Sequence, residues 1–246
     1  MPENKQTAGT LHAECIGIGV GPGDPELLTL RAVRELAEAD LIYTPAARIK
    51  EQSLAAQIAR GAGLDAAKVR ELVFPMERDP EVLSEAWRIA AEPVAASLDQ
   101  GLRVAFLTLG DPSVYSTWIY LRRALESRRP GTRFAVVPGI MAANAAAARL
   151  GVPLTEGSER LVLLPLPDPV EKLDAYLSLT ERLVIYKIAG RLGELATWTL
   201  GRGLEKNAHL VVGVGLDRER AGLLADLAPS VDGYLSVAVI KTGGSL

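Results

Sequence analysis

The chain has 246 residues, 48% of them hydrophobic and 5% aromatic, which suffices for the core of one large domain or two moderate ones. A net charge of -3 argues against a general nucleic-acid-binding protein. The single cysteine, Cys15, excludes an internal disulfide, and together with His12 and His209 it does not match any usual spacing of zinc ligands. Because the N-terminus has no signal-peptide core and no apolar run approaches ~20 residues, we expect a soluble cytoplasmic protein without a membrane span or a bound metal.

Apolar strands and amphipathic helices alternate along the chain, which is typical of layered α/β folds. In the first half, the predicted strands are 15–20, 41–43, 69–74, 104–109 and 134–137, and the predicted helices are 27–39, 53–59 and 80–98. In the second half, strands are predicted at 161–164, 183–188, 210–214 and 235–240, with helices near 140–150, 171–178, 191–200 and 219–226. A hinge between the halves is expected near Pro138-Gly139.

Residues 104–120 are the most informative stretch. The apolar strand stops at Gly110, where Asp111 can cap a helix and Pro112 suits its first position. Apolar residues then recur at helical spacing at Val114, Trp118, Leu121 and Leu125. Ligands of α/β sheets bind where strands meet such turns, so we predict a binding site here.

The glycines at 17, 19, 21 and 23 do not form a dinucleotide-binding fingerprint. The position of its third glycine is occupied by Pro22 or Asp24, depending on the register, and Asp40 precedes the second strand instead of ending it. No Gly-Lys dipeptide or Gly-x-Ser-x-Gly elbow occurs either. These absences disfavour a nicotinamide dehydrogenase and a P-loop enzyme, and a tight strand-to-helix turn is the plain structural explanation of the glycines.

Three segments resemble, in order and separation, the signatures of the tetrapyrrole (corrin/porphyrin) methylases. They are Gly17-Ile-Gly-Val-Gly-Pro-Gly-Asp-Pro-Glu-Leu-Leu-Thr-Leu30, Leu109-Gly-Asp-Pro-Ser-Val-Tyr115 and Val137-Pro-Gly-Ile-Met-Ala142. The resemblance runs from about Cys15 to Ile240. It implies two α/β domains, at 11–137 and 138–246, with a trough between them that binds S-adenosylmethionine, and it implies a homodimer.

Carried over by position, the resemblance implies that the methyl donor contacts turns at strand ends in both domains. The implied cofactor-binding residues are Pro22, Leu109, Gly110, Asp111, Val114, Tyr115, Met141, Ala142, Tyr186, Lys187, Gly215, Leu216, Ser236 and Val237. A plain surface lysine is the alternative for Lys187, and ordinary strand ends are the alternative for the others.

Within the family, several motifs resemble the subgroup that methylates C20 of precorrin-2. They are Tyr115-Ser-Thr117, Tyr43-Thr-Pro45, Phe74-Pro-Met76, Trp87 and Gly157-Ser-Glu-Arg160. Thr108-Leu109 departs from the pattern, because many relatives carry an acidic residue before the glycine. The alternatives are methylation of the cobalt-bearing acceptor, of uroporphyrinogen III, or of rRNA or diphthine, and a non-catalytic ligand-binding α/β module.

Arginine supplies 20 of the 27 basic residues. Genome composition is the plain explanation, and binding of a polycarboxylate tetrapyrrole is the other, because a guanidinium pairs with a carboxylate through two parallel hydrogen bonds. The residues expected to bind this acceptor are Gly21, Arg48, Arg78, Arg88, Ser116, Thr117, Arg122 and Arg123. The sequence indicates no clear base for the proton that leaves C20, and Tyr115 and Asp111 are the nearest catalytic candidates.

Overall fold

A computed structural model describes residues 14–46, 53–74 and 80–243. By their internal contacts, these residues form two compact units. Unit 1 contains the described residues up to Gly21 together with Pro25–Gly139, and unit 2 contains Pro22–Asp24 together with the described residues from Ile140 onward. Within the described ranges, every helix is too short or too polar to cross a lipid bilayer.

The described part of unit 1 is built on a parallel five-stranded sheet. Its strands are β1 (Cys15–Gly19), β2 (Leu41–Ala46), β3 (Val69–Val73), β4 (Val104–Thr108) and β5 (Phe134–Val137). Their order is β3-β2-β4-β1-β5, and Gly17 of β1 pairs with Phe106 on one side and Val136 on the other. The central strands β1 and β4 are buried throughout, which is why both read as continuous apolar or glycine-containing runs.

Helices cover both faces of this sheet. They are α1 (Leu30–Glu38), α2 (Leu54–Gly61), α3 (Pro80–Asp99) and α4 (Trp118–Arg128). The first two pack on the face that presents Ile16 and Leu107, and the other two on the face that presents Cys15 and Phe106. The neighbouring strands β1 and β4 are therefore followed by helices on opposite faces. This arrangement is a topological switch point, where ligands of open α/β sheets bind.

The described part of unit 2 has a mixed five-stranded sheet. Its strands are β6 (Leu161–Pro165), β7 (Arg182–Tyr186), β8 (Ala208–Val212), β9 (Arg220–Leu223) and β10 (Ser236–Lys241), and its helices are α5 (Ala142–Leu150), α6 (Asp174–Leu177), α7 (Leu192–Leu200) and α8 (Leu224–Leu227). In the order β6-β7-β10-β8-β9, β6 and β7 are parallel, whereas β10 is antiparallel to β7 and β8. The carboxyl ends of β6, β7 and β8 therefore share one edge with the amino end of β10.

The structure corrects the helix predicted near 219–226. Arg220–Leu223 forms the edge strand β9, antiparallel to β8, and only the following four residues make a helical turn. The local pattern of apolar residues is compatible with a helix, but pairing of Leu223 with His209, on a strand distant in sequence, decides the conformation.

Two element boundaries in unit 1 also differ from the prediction. The second strand continues through Pro45 to Ala46, because β4 pairs with β2 only as far as Tyr43 and the missing N–H of Pro45 breaks no ladder on that side. The first helix begins at Leu30 instead of residue 27, because the hydroxyl of Thr29 accepts a hydrogen bond from the N–H of Ala32 at 3.1 Å and caps it.

Candidate functional site

Two glycines join the carboxyl ends of β1 and β4 at the switch point of unit 1. The N–H of Gly110 donates to the carbonyl of Gly21 at 2.8 Å, and the N–H of Gly21 donates to the carbonyl of Gly110 at 3.3 Å. Their φ angles of 76° for Gly21 and 69° for Gly110 lie in the left-handed region, which residues with a Cβ seldom adopt. The bridge therefore depends on glycine at both positions.

Backbone also packs against backbone where β5 ends. A Cβ placed on Gly139 would lie 2.1 Å from the carbonyl oxygen of Gly110 and 2.9 Å from the Cα of Gly19. A Cβ placed on Gly19 would lie 2.5 Å from the same carbonyl oxygen. Three strand ends thus meet with no room for a side chain between them.

The carboxylate of Asp111 joins two of these turns. One oxygen accepts a hydrogen bond from the N–H of Ser113 at 2.8 Å and another from its hydroxyl, and the other oxygen accepts one from the N–H of Gly139 at 2.9 Å. The expected helix start at Asp111-Pro112 is wrong. Because the carboxylate is engaged in this turn and Tyr115 has a left-handed φ of 49°, the helix does not begin before Trp118.

These hydrogen bonds also set the charge of Asp111. Partial burial opposes ionisation, but the hydrogen bonds from Ser113 and Gly139 outweigh it and lower the pKa of the carboxyl below its ordinary value. The group is therefore ionised at neutral pH, with both oxygens accepting hydrogen bonds. The negative charge of this carboxylate suits a cationic ligand group. Because its pKa is lowered, the carboxylate is a poor acceptor for a proton.

Of the residues that follow Asp111, Ser116 is buried and hydrogen-bonded within the protein, whereas Tyr115 is exposed to solvent. Ser116 is buried, and its hydroxyl shares a hydrogen bond with that of Thr108 at 2.8 Å and accepts the N–H of Trp118 at 3.1 Å. Tyr115 is 47% exposed despite its strained backbone. Strain at a non-glycine residue is common at functional sites, so Tyr115 is the better placed of the two to meet a ligand.

Three of the predicted acceptor-binding arginines lie on α3 and α4. Arg88 pairs with Glu85 at 2.6 Å, and Arg122 pairs with Glu126 at 2.9 Å. Arg123 is exposed and forms no ion pair with another residue in the described part of the chain. Arg48 and Arg78 lie outside the described residues, as do Pro75 and Met76.

A groove of about 770 Å³ lies between α3 and α4, and we call it the α3–α4 groove. Arg88 and Arg123 line it together with Trp87 and Tyr120, whose rings stack with their centroids 5.1 Å apart. Glu85 and Glu92 also line the groove and pair with Arg88 and Arg128. Among the described residues of the lining, Arg123 is the guanidinium outside these pairs, and together with the aromatic surface it suits a conjugated ring bearing carboxylates.

In unit 2, the predicted donor-binding residues lie at one edge of the sheet. Tyr186 ends β7, Lys187 follows with a left-handed φ of 56°, and Ser236 begins β10. Ser236 and its neighbour Val237 are both buried and pair with Val212 and Val211 of β8.

The loop Pro22–Asp24 packs at the same edge of unit 2. A Cβ on Gly23 would lie 2.1 Å from the carbonyl oxygen of Val214, and one on Gly215 would lie 2.5 Å from the backbone nitrogen of Asp24. Gly23 and Asp24, which follow Pro22, therefore lie against Gly215, which precedes Leu216.

Two features of the sites were not predicted from the sequence. The Tyr186 hydroxyl accepts a hydrogen bond from the N–H of Ala143 at 3.0 Å, next to Met141 and Ala142 at the start of α5. Leu235 has a left-handed φ of 55°, and its carbonyl accepts the N–H of Gly213 at 3.0 Å. Neither has a local sequence signal, since both depend on partners distant in the chain.

Among the described residues, no group of three or more histidine, cysteine, aspartate or glutamate side chains is arranged to hold a metal ion.

Comparison with known proteins relates this geometry to a family. Residues 14–228 match the family described as Tetrapyrrole (Corrin/Porphyrin) Methylases, which confirms the resemblance drawn from the three segments. The chain is 38% identical to a probable cobalt-precorrin-2 C(20)-methyltransferase of Methanocaldococcus jannaschii over 70% of each chain. It is 29% identical to a precorrin-2 C(20)-methyltransferase of a Sinorhizobium species, over 92% of this chain and 94% of the relative.

A solved structure confirms the predicted fold class. The crystal structure of uroporphyrin III C-methyl transferase from Thermus thermophilus, complexed with S-adenosyl homocysteine, matches with a TM-score of 0.63 at 21% identity. The alignment covers 93% of this chain and 97% of that one. At this identity, the match supports the two-sheet α/β fold alone.

The crowding at Gly139 predicts that Gly139→Ala destabilises the protein. Its methyl group would overlap the carbonyl oxygen of Gly110, so we expect a loss of about 1–3 kcal/mol in the free energy of unfolding, measured by denaturant titration. The matched control is Gly193→Ala on the exposed side of α7, where no atom lies within 4 Å. The packing described here is contradicted if both variants are equally stable.

The hydrogen bonds to Asp111 predict a pH-dependent effect of Asp111→Asn. A carboxyl whose folded pKa is lowered stabilises the fold above its unfolded pKa of 3.8 and loses that contribution as the pH falls through the folded value. The variant should be less stable than the wild type at neutral pH, and the difference should shrink as the pH falls below 3.8. Asp217→Asn, on an exposed loop, controls for the loss of one charge, and an equal profile for both variants would argue against the turn.

Proposed function

This chain belongs to the tetrapyrrole (corrin/porphyrin) methylases, and we propose that it transfers a methyl group from S-adenosyl-L-methionine to C20 of precorrin-2, giving precorrin-3A in cobalamin biosynthesis. The observation that carries the proposal is the similarity of the chain to relatives named for C(20) methylation. The motifs Tyr115-Ser-Thr117 and Tyr43-Thr-Pro45 support the same acceptor. Since one relative is named for the cobalt-bearing acceptor and the other for the metal-free one, both forms are candidate substrates.

The turns of unit 1 suit the methyl donor. S-adenosylmethionine, when bound, supplies a methyl group attached to a positively charged sulfur. The ionised carboxylate of Asp111 complements a cation, and the bridge between Gly21 and Gly110 places no side chain at these two strand ends. Leu109, Gly110, Val114 and Tyr115 complete the proposed contacts from this unit.

Unit 2 supplies the remaining proposed donor contacts. They are Pro22, Met141, Ala142, Tyr186, Lys187, Gly215, Leu216, Ser236 and Val237. They lie at strand ends and at the start of α5, where backbone groups and the Met141 side chain are suited to an uncharged ring and a sugar.

The protein's main task in this reaction is alignment. Holding an activated methyl group and a nucleophilic carbon in line contributes roughly 7–11 kcal/mol. As the new carbon–carbon bond forms, C20 must lose its proton. We propose that the Tyr115 hydroxyl relays that proton, accepting it as its own proton passes to water, because Tyr115 is 47% exposed and both oxygens of Asp111 already accept hydrogen bonds.

The decisive experiment locates the transferred methyl group. Purified protein is incubated with methyl-¹³C S-adenosylmethionine and, in parallel, precorrin-2, its cobalt-bearing form or uroporphyrinogen III, and the products are analysed by NMR. A labelled methyl on C20 is the expected result. Label at C2 or C7 of uroporphyrinogen III would instead favour the alternative methylase activity, and donor binding without any transfer would favour a non-catalytic ligand-binding module.

The α3–α4 groove predicts how the acceptor carboxylates are bound. We propose that Arg123, with Arg88 in the same groove, pairs with acceptor carboxylates, so Arg123→Glu should raise the acceptor KM roughly tenfold, as for loss of one charge-assisted hydrogen bond. Donor affinity, measured by calorimetry, should not change. The control is Arg34→Glu on exposed α1, on the opposite face of the sheet. Equal acceptor KM values for the two variants would exclude Arg123 from acceptor binding.

We also propose that the protein acts as a homodimer in the cytoplasm, without a nucleic-acid partner. The family resemblance supports the dimer, and the net charge of -3 is unfavourable for nucleic acid. Light scattering coupled to size-exclusion chromatography gives the mass in solution directly.

A further inference from the structure

Helix α5 begins without a capping side chain of its own. Its N-cap residue is Met141, whose side chain offers no oxygen, and the first hydrogen bond within the helix runs from the N–H of Ala145 to the carbonyl of Met141 at 3.3 Å. The N–H groups of the first turn of a helix have no partner inside the helix and usually bond to an N-cap serine, threonine, aspartate or asparagine. The N–H of Ala143 therefore needs an acceptor from elsewhere.

That acceptor is the hydroxyl of Tyr186, the last residue of β7. It accepts the N–H of Ala143 at 3.0 Å across 43 positions of sequence. Ala143 is completely buried, so water cannot readily replace the hydroxyl oxygen, and an unpaired buried N–H is costly. The ring of Tyr186 packs against the buried cluster that includes Ala143, Val184 and Val239, which holds the oxygen in place.

We infer that Tyr186 is a positioning residue for donor binding. By capping α5 from the sheet, its hydroxyl fixes the first turn of the helix, and with it Met141 and Ala142, which lie immediately before Ala143 and are proposed donor contacts. This inference rests on the proposed function. It assigns the tyrosine oxygen to the helix instead of to the donor.

Tyr186→Phe tests the inference, because it deletes one oxygen and keeps the ring. Hydrogen exchange measured by mass spectrometry should become faster in the first turn of α5. Calorimetry with S-adenosylhomocysteine should show a Kd raised about tenfold, the equivalent of ~1.4 kcal/mol and within the range for one buried hydrogen bond. In turnover assays, the donor KM should rise more than kcat falls.

Tyr176→Phe is the matched control, since it removes a tyrosine hydroxyl in the same unit against the opposite face of the sheet. It should leave both exchange and affinity unchanged. If Tyr186→Phe speeds exchange but binds S-adenosylhomocysteine as the wild type does, the hydroxyl only stabilises the helix and the positioning role is overturned. If exchange is also unchanged, the cap itself is overturned. Wild-type protein that binds no S-adenosylhomocysteine would overturn the proposed function and the positioning role with it.

Discussion

The close approach of three glycine backbones is the constraint on which the site in unit 1 depends. Gly19, Gly110 and Gly139 end three neighbouring strands, and a single Cβ on Gly19 or Gly139 would overlap the carbonyl of Gly110. The parallel sheet brings these ends to one edge, and the switch point between β1 and β4 keeps helices from covering it. Without side chains at these positions, the turns are close enough for the carboxylate of Asp111 to reach the N–H of Gly139.

Each unit contains a side-chain oxygen that binds a backbone N–H close to Met141 in sequence. The N–H of Gly139 is bound by Asp111 within unit 1, and the N–H of Ala143 is bound by Tyr186 within unit 2. Met141 lies between these two points. Within unit 2, the proposed donor contact Met141 thus lies two residues before a backbone N–H that a side-chain oxygen holds, and a pre-ordered contact loses less conformational entropy on binding.

The sequence predicts correctly those parts of the fold whose conformation depends on neighbouring residues along the chain. The buried strand at 104–109 is an uninterrupted apolar run, and the family follows from three motifs of fixed order. The errors arise where a distant partner decides. The sequence around Asp111 is typical of a helix cap, but one of its carboxylate oxygens accepts the N–H of Gly139, 28 residues later. The sequence of 220–223 is compatible with a helix, but these residues pair with β8 as a strand. The bond between Tyr186 and Ala143 has no signal in the sequence at all.

The surroundings of three polar side chains in unit 1 bear on the proposed methyl transfer. The Asp111 carboxylate is ionised with both oxygens engaged, and the Ser116 hydroxyl is committed to Thr108 and Trp118. The single thiol, that of Cys15, is buried, and burial raises its pKa to about 12. None of these three is a strong base or nucleophile at neutral pH. A sulfonium donor needs no further activation, so a rigid backbone site that aligns donor and acceptor is sufficient for the larger part of the catalysis.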